Sequence, residues 1–112
     1  MQTIVTLLDF EVRARKLLTA QEYEAMLQTL ANNPTTGALI QGTGGLRKIR
    51  LRRHDRKKIG GSRVIYYYHS KNKPIFLLDI YAKAKQEDLT QSQRKRLATL
   101  ANTLKKTLDE FS

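Results

Sequence analysis

The sequence predicts an α+β fold. Apolar residues recur at helical spacing near both ends of the chain, and two of these stretches open on a capping box. Between them lie segments dense in β-branched and aromatic residues. Read in order, the elements are β-α-α-β-β-β-α. They predict an antiparallel sheet, a meander covered on one face, packed against an N-terminal helical hairpin and a C-terminal helix.

"TIVTLL" (3–8) reads as a short strand. Phe10, Ala14, Leu17 and Leu18 then fall at helical spacing from Asp9 to Leu18. Thr19 with Glu22 forms a capping box, and Tyr23, Met26, Leu27 and Leu30 mark one face of a second helix that "NNP" (32–34) stops. Residues 34–45 read as a loop. In 46–52 the alternation puts Ile49 and Leu51 on one side with Arg47, and Lys48, Arg50 and Arg52 on the other. A basic hairpin connection follows, then "RVIYYYH" (63–69), a turn at "SKNK", and "PIFLLDIYAK" (74–83) as a third long strand, with Pro74 tolerable at its start. In that strand Phe76, Leu78, Ile80 and Ala82 are expected on one side, and Asp79, Tyr81 and Lys83 on the other. Thr90 with Gln93 caps a last helix with an apolar stripe of Leu97, Leu100, Leu104, Leu108 and Phe111.

The 112 residues fit one small domain spanning 1–112. Absence of cysteine excludes a disulfide scaffold, a cysteine nucleophile and a thiolate metal site. No segment reads as a signal peptide or approaches the roughly 20 apolar residues of a membrane span, so the expected location is the cytoplasm, with no membrane partner. Charge is the informative quantity. Twenty-one Lys+Arg against ten Asp+Glu give +11, and nine of those cations lie between Arg47 and Arg63 beside one acid, Asp55. A stripe of that density favours phosphate contacts and points to RNA, DNA or ribosome, with an acidic protein as the alternative partner.

"QGTGGLRKIRLRR" (41–53) has the glycines of a phosphate loop but not their spacing. Arg47 stands where both Gly-x-x-x-x-Gly-Lys and Gly-x-Gly-x-x-Gly require a glycine, and a strand follows rather than a helix N-terminus. The glycines are instead expected to supply positive φ angles and close backbone approach. Of the two histidines, His54 sits in the basic loop, where neighbouring cations favour its neutral form and make it a candidate base. His69 ends a strand. Glu87–Asp88 is expected to serve as helix-start acids or ion-pair partners. What remains is a set of cations and a tyrosine on neighbouring strands: Lys48, Arg50, Arg63, Tyr81 and Lys83. Cutting RNA through its own 2′-hydroxyl needs a proton acceptor, stabilisation of a pentavalent phosphorane, and a proton donor to the leaving 5′-oxygen. A basic cluster serves the second need well. Binding alone needs less geometry and stays open on the residues themselves.

Taken together, "GTGGLRKIRLRR", "GGSRVIYYYHS" and "IFLLDIYAKAKQEDLT" resemble the RelE/HigB group of bacterial type II toxin–antitoxin toxins, in the branch similar to HigB toxins. The resemblance runs from about Val5 to Leu104. It implies a RelE-like fold and a ribosome-dependent mRNA endoribonuclease that cuts the A-site codon without metal or other cofactor. Its implied partners are mRNA, the ribosome and its RNA, and a cognate helix-turn-helix antitoxin. Lys48 falls where the family has a phosphate-contacting lysine on the second strand. Arg50 falls where RelE has a lysine, its proposed general base. An arginine, with a pKa above about 12, is a poor base and reads instead as a transition-state clamp. Arg63 matches the arginine that opens the next strand, and Lys83 lies close to a basic residue implied to assist the leaving group. RelE has a tyrosine near its C-terminus; this chain has none after Tyr81, which is its positional substitute. The base is open among Lys48, Tyr81 and His54. Arg47, Arg52, Arg53, Arg56, Lys57 and Lys58 suit ribosomal RNA contacts. Two other classes stay open: a non-catalytic RNA- or DNA-binding module, and a gyrase-inhibiting toxin of the ParE type, which shares the fold but is not expected to keep Lys48, Arg50 and Arg63.

Overall fold

The computed structural model describes residues 2–7, 9–51 and 61–111. Its elements are β1 (Ile4–Thr6), α1 (Phe10–Leu17), α2 (Ala20–Asn32), β2 (Ala38–Leu39), β3 (Leu46–Leu51), β4 (Ser62–Tyr68), β5 (Ile75–Ala82) and α3 (Gln91–Glu110). The α+β class and the expected helices and long strands are present. β2 is the addition: two residues carry no periodicity to read, and only pairing with Arg47 and Lys48 makes them a strand.

The five strands lie in the order β1-β5-β4-β3-β2. β2 to β5 form the antiparallel meander, but β1 runs parallel to β5, so the sheet is mixed rather than purely antiparallel. Both capping boxes form. Thr19 Oγ1 accepts from the Glu22 amide while Glu22 answers to the Thr19 amide, and Thr90 with Gln93 repeats the exchange at α3. Each satisfies two of the orphan amides at a helix start, and losing the threonine oxygen costs about 1 kcal/mol.

Helices cover both faces of the sheet, not one. Val64 and Tyr66 of β4 pack with Phe10, Ala14, Met26 and Leu30 of the α1–α2 hairpin, together with Ile49, Ile75, Leu77 and Ile80. Their neighbours Ile65 and Tyr67 pack with Leu97 and Ala101 of α3, together with Leu46, Leu78, Tyr81 and Leu89. A strand sends successive side chains to opposite faces, so these two clusters are the two sides of one sheet. Burial on both faces is why "VIYYY" reads as a continuous apolar run. Along α3, Leu100, Leu104 and Leu108 are partly buried as expected, whereas Phe111 is 74 % exposed and stands outside the core.

The expected alternation of β5 is broken by a bulge. Tyr66 pairs with Leu77 and Ile65 with Asp79, which leaves Leu78 as an extra residue. As a result Leu78 and Phe76 lie with the α3 cluster and Ile80 with the hairpin cluster, rather than all three on one side.

The glycine turn before β3 behaves as expected on backbone grounds. Gly42, Gly44 and Gly45 have φ of 76°, 74° and 115°, where an L side chain is strained. Open space surrounds the first two, so the angle and not a close approach calls for glycine there. Gly37 is the opposite case: a β-carbon would stand 2.7 Å from the Tyr66 ring.

Candidate nucleic-acid interface

The meander assembles the site by register. Arg50 of β3 pairs with Arg63 of β4, Arg63 pairs with Tyr81 of β5, and Lys48 pairs with Ile65. Paired residues share a face, so Lys48, Arg50, Arg63 and Tyr81 lie on the α3 side of the sheet. The same face is core at Leu46, beneath α3. The expectation that Lys48 and Arg50 occupy a non-core face therefore holds only toward the Arg50 end of β3.

Within this row the exposures differ. Arg50 is exposed, Lys48 is about one-third exposed at its side chain, and Arg63 and Tyr81 are only 6 % and 7 % exposed. Arg63 donates from Nη1 to the Ser62 carbonyl at 3.3 Å. Arg50 and Arg63 are directly opposed in register, and two arginines brought to one place on a sheet face suit an anion. Tyr81 Oη is buried with no hydrogen-bond partner among the described residues. Burial first, and then the Asp88 carboxylate, raise the Tyr81 pKa, with Arg63 opposing them. At neutral pH the phenol keeps its proton, so it is a donor rather than a base.

Two side chains that sequence reasoning did not place border this row. Asp88, in the loop before α3, lies 3.5 Å from Lys48 Nζ and 3.8 Å from Arg94 Nη2. A hydrogen bond from the Leu89 amide, helped by Lys48 and Arg94 against partial burial, lowers the Asp88 pKa. Asp88 is thus the ion-pair partner anticipated for it. Arg94 carried no signal in the sequence, because its approach to β3 is made by packing Leu89 and Leu97 under the sheet.

The other expected residues fall elsewhere. The Lys83 ammonium is held by the Glu87 carbonyl and lies 3.9 Å from the Glu87 carboxylate, on the loop that leaves β5. Arg47 points away from the basic row. It donates to the carbonyls of Thr35 and Gly37, at 3.2 and 2.7 Å, and pins the loop before β2. Arg52, Arg53, Arg56, Lys57, Lys58 and the candidate base His54 lie outside the described residues. His69 has a partner that its sequence neighbourhood hid. Nε2 stands 3.0 Å from Asp109 of α3 and Nδ1 3.0 Å from Tyr67 Oη, at the opposite end of β4 from Arg63.

Fold and site together define a small α+β domain that presents cations at one open end of a sheet face. A family model for the RelE toxin of the RelE/RelB toxin–antitoxin system matches residues 9–111. The chain belongs to this family and is thereby a toxin of a toxin–antitoxin system, which implies an antitoxin partner. Among the described residues, no helix is long and apolar enough to cross a membrane.

Proposed function

We propose that this toxin is a ribosome-dependent mRNA endoribonuclease. It cuts message in the ribosomal A site by attack of the 2′-hydroxyl on the adjacent phosphate, without a metal, and so inhibits translation. The observation that carries the reading is the cross-strand row Arg50–Arg63–Tyr81 flanked by Lys48. Arginines on opposed residues match the charge that grows on a phosphorane, and fixed donors at such a position contribute more in the transition state than in the ground state.

Roles follow from exposure and protonation. Arg50, the exposed member, clamps the phosphate from solvent. Arg63, beneath it, supplies positive potential from a fixed position. The neutral Tyr81 phenol donates a hydrogen bond to the phosphorane or a proton to the leaving 5′-oxygen. Lys48 contacts the phosphate and is the candidate base among the described residues. Lys83 assists only by leaving Glu87. Single-domain organisation over 1–112, a cytoplasmic location, ribosomal RNA contacts through the cations of 52–58, and a helix-turn-helix antitoxin complete the proposal.

Induced expression should arrest growth and yield cuts within translated codons that vanish when ribosomes are withheld. Arg50→Ala and Arg63→Ala should each slow cutting of ribosome-bound message by about 10²–10³-fold, the usual cost of one transition-state donor. Cutting by Arg63→Ala at the wild-type rate would remove Arg63 from the mechanism. Tight, salt-sensitive RNA binding without scission by the wild type would leave a binding module.

A further inference from the structure

Lys48 and Arg94 come from different elements, β3 and α3, and converge on one carboxylate. The separations of 3.5 and 3.8 Å are longer than the roughly 2.7–2.9 Å of a charge-assisted hydrogen bond. The three side chains are 34 %, 36 % and 51 % exposed. Asp88 does not depend on these cations for its place. Its Oδ1 accepts from the Leu89 amide at 2.8 Å, its carbonyl accepts from Gln86, and Leu89 is buried under the sheet. The loop delivers the carboxylate, and the two cations lean on it loosely.

Such a contact is easily exchanged. A carboxylate and a phosphodiester each present two anionic oxygens to a pair of cations, and arginine matches either. Arg94 also donates to the Gln41 carbonyl at 3.2 Å and lines an open cleft with Gly42, Gln91, Ser92 and Lys95. That places a cation of α3 between the glycine turn and Lys48, the residue already assigned to the phosphate.

We propose that Lys48 and Arg94 form a second phosphodiester-binding pair beside Arg50 and Arg63, and that Asp88 is the built-in counter-ion which an RNA phosphate displaces. Arg94 is thus a further RNA-contacting residue, and Asp88 sets how readily the strand engages. The proposal rests on the RNA reading above but is tested by binding, not by cutting.

The assay is fluorescence anisotropy of the full chain with a short, labelled, uncleavable 2′-O-methyl RNA across a salt series. Asp88→Asn keeps an oxygen for the Leu89 amide and removes only the charge. It should bind about fivefold tighter than the wild type at low salt, the exchange of a contact worth about 1 kcal/mol. Asp88→Ser, which also keeps an acceptor, should do the same. Arg94→Ala should weaken binding, reduce the steepness of log K against log salt by about one, and shrink the gain from Asp88→Asn to the part carried by Lys48. Lys105→Ala, near the far end of α3, should leave the slope unchanged. Wild-type affinity in both Asp88 variants, or an unchanged slope in Arg94→Ala, overturns the proposal. If inorganic phosphate alone competes as well as unlabelled RNA, the ligand is an isolated phosphate and the strand assignment falls. Absence of ribosome-dependent cutting with these binding shifts intact would sink the nuclease reading alone.

Discussion

Tyr66→Phe removes one oxygen from a fully buried side chain. Tyr66 is fully buried; its hydroxyl donates to the Pro34 carbonyl at 2.7 Å and accepts from the Gly37 amide at 2.8 Å. The substitution leaves the ring in place, so no cavity of consequence forms. It strands the Gly37 N–H as a buried donor, a loss of about 1–3 kcal/mol, while the freed carbonyl costs less because an acceptor tolerates partial satisfaction. The expected destabilisation is about 2 kcal/mol. With about 2.1 cal/mol/K per residue over 112 residues, this lowers Tm by about 8 °C. Urea unfolding should show a lower midpoint at unchanged m. Arg47 holds the same loop through Thr35 and Gly37, so Tyr66→Phe and Arg47→Ala should combine non-additively, with a coupling of about 0.5 kcal/mol or more. Tyr68→Phe is the control, expected within about 0.5 kcal/mol of wild type. A Tm loss for Tyr66→Phe no larger than that of the control would refute the reasoning.

Tyr81→Phe should lower kcat for ribosome-bound message by about tenfold or more with KM little changed, while melting near the wild-type temperature; a raised KM with kcat unchanged would assign the phenol to binding. Gly44→Ala should cost about 1–2 kcal/mol in urea unfolding, although nothing crowds its β-carbon, because φ is 74°. Asp88 has a lowered folded pKa, so its contribution to stability is present above the unfolded value near 3.9 and is lost as pH falls through the folded one. Asp88→Asn should accordingly flatten the acid limb of a pH–stability curve, and an acid limb identical to wild type would exclude that contribution. Burial raises the folded pKa of Tyr66 and Tyr81, which keeps their contribution intact below the unfolded value near 10 and removes it at higher pH; Tyr66→Phe should soften the alkaline limb of the same curve.

Local chemistry was legible in the sequence wherever a short segment decides it. Thr19–Glu22 and Thr90–Gln93 specify helix starts by themselves, and the pleat of β3 separates Ile49 from Lys48 and Arg50. Features made by two distant segments were not legible. Arg94 reaches Lys48 only through the packing of α3, and Asp109 reaches His69 across the length of that helix. Arg47 has the composition of an RNA contact, and its Nη1 also bonds the loop carbonyls of Thr35 and Gly37, a partnership its sequence neighbourhood did not reveal. The second covered face was hidden because "VIYYY" fits a strand with either one or two covered sides once tyrosine counts as amphipathic.

The bulge at Leu78 has a consequence for how this site can be gained or lost. Strict alternation counted from Leu77 would carry Tyr81 to the helical-hairpin side and bring Ile80 alongside Arg63. The additional residue acts as a one-position frameshift in side-chain orientation. A one-residue slip that absorbed Leu78 into the ladder would exchange the phenol for an aliphatic group beside Arg63 while every residue type in β5 stayed the same, whereas deleting Leu78 would leave Tyr81 opposite Arg63. In a chain like this one, which side chains stand beside Arg63 can turn on the parity of a strand as much as on the identity of its residues.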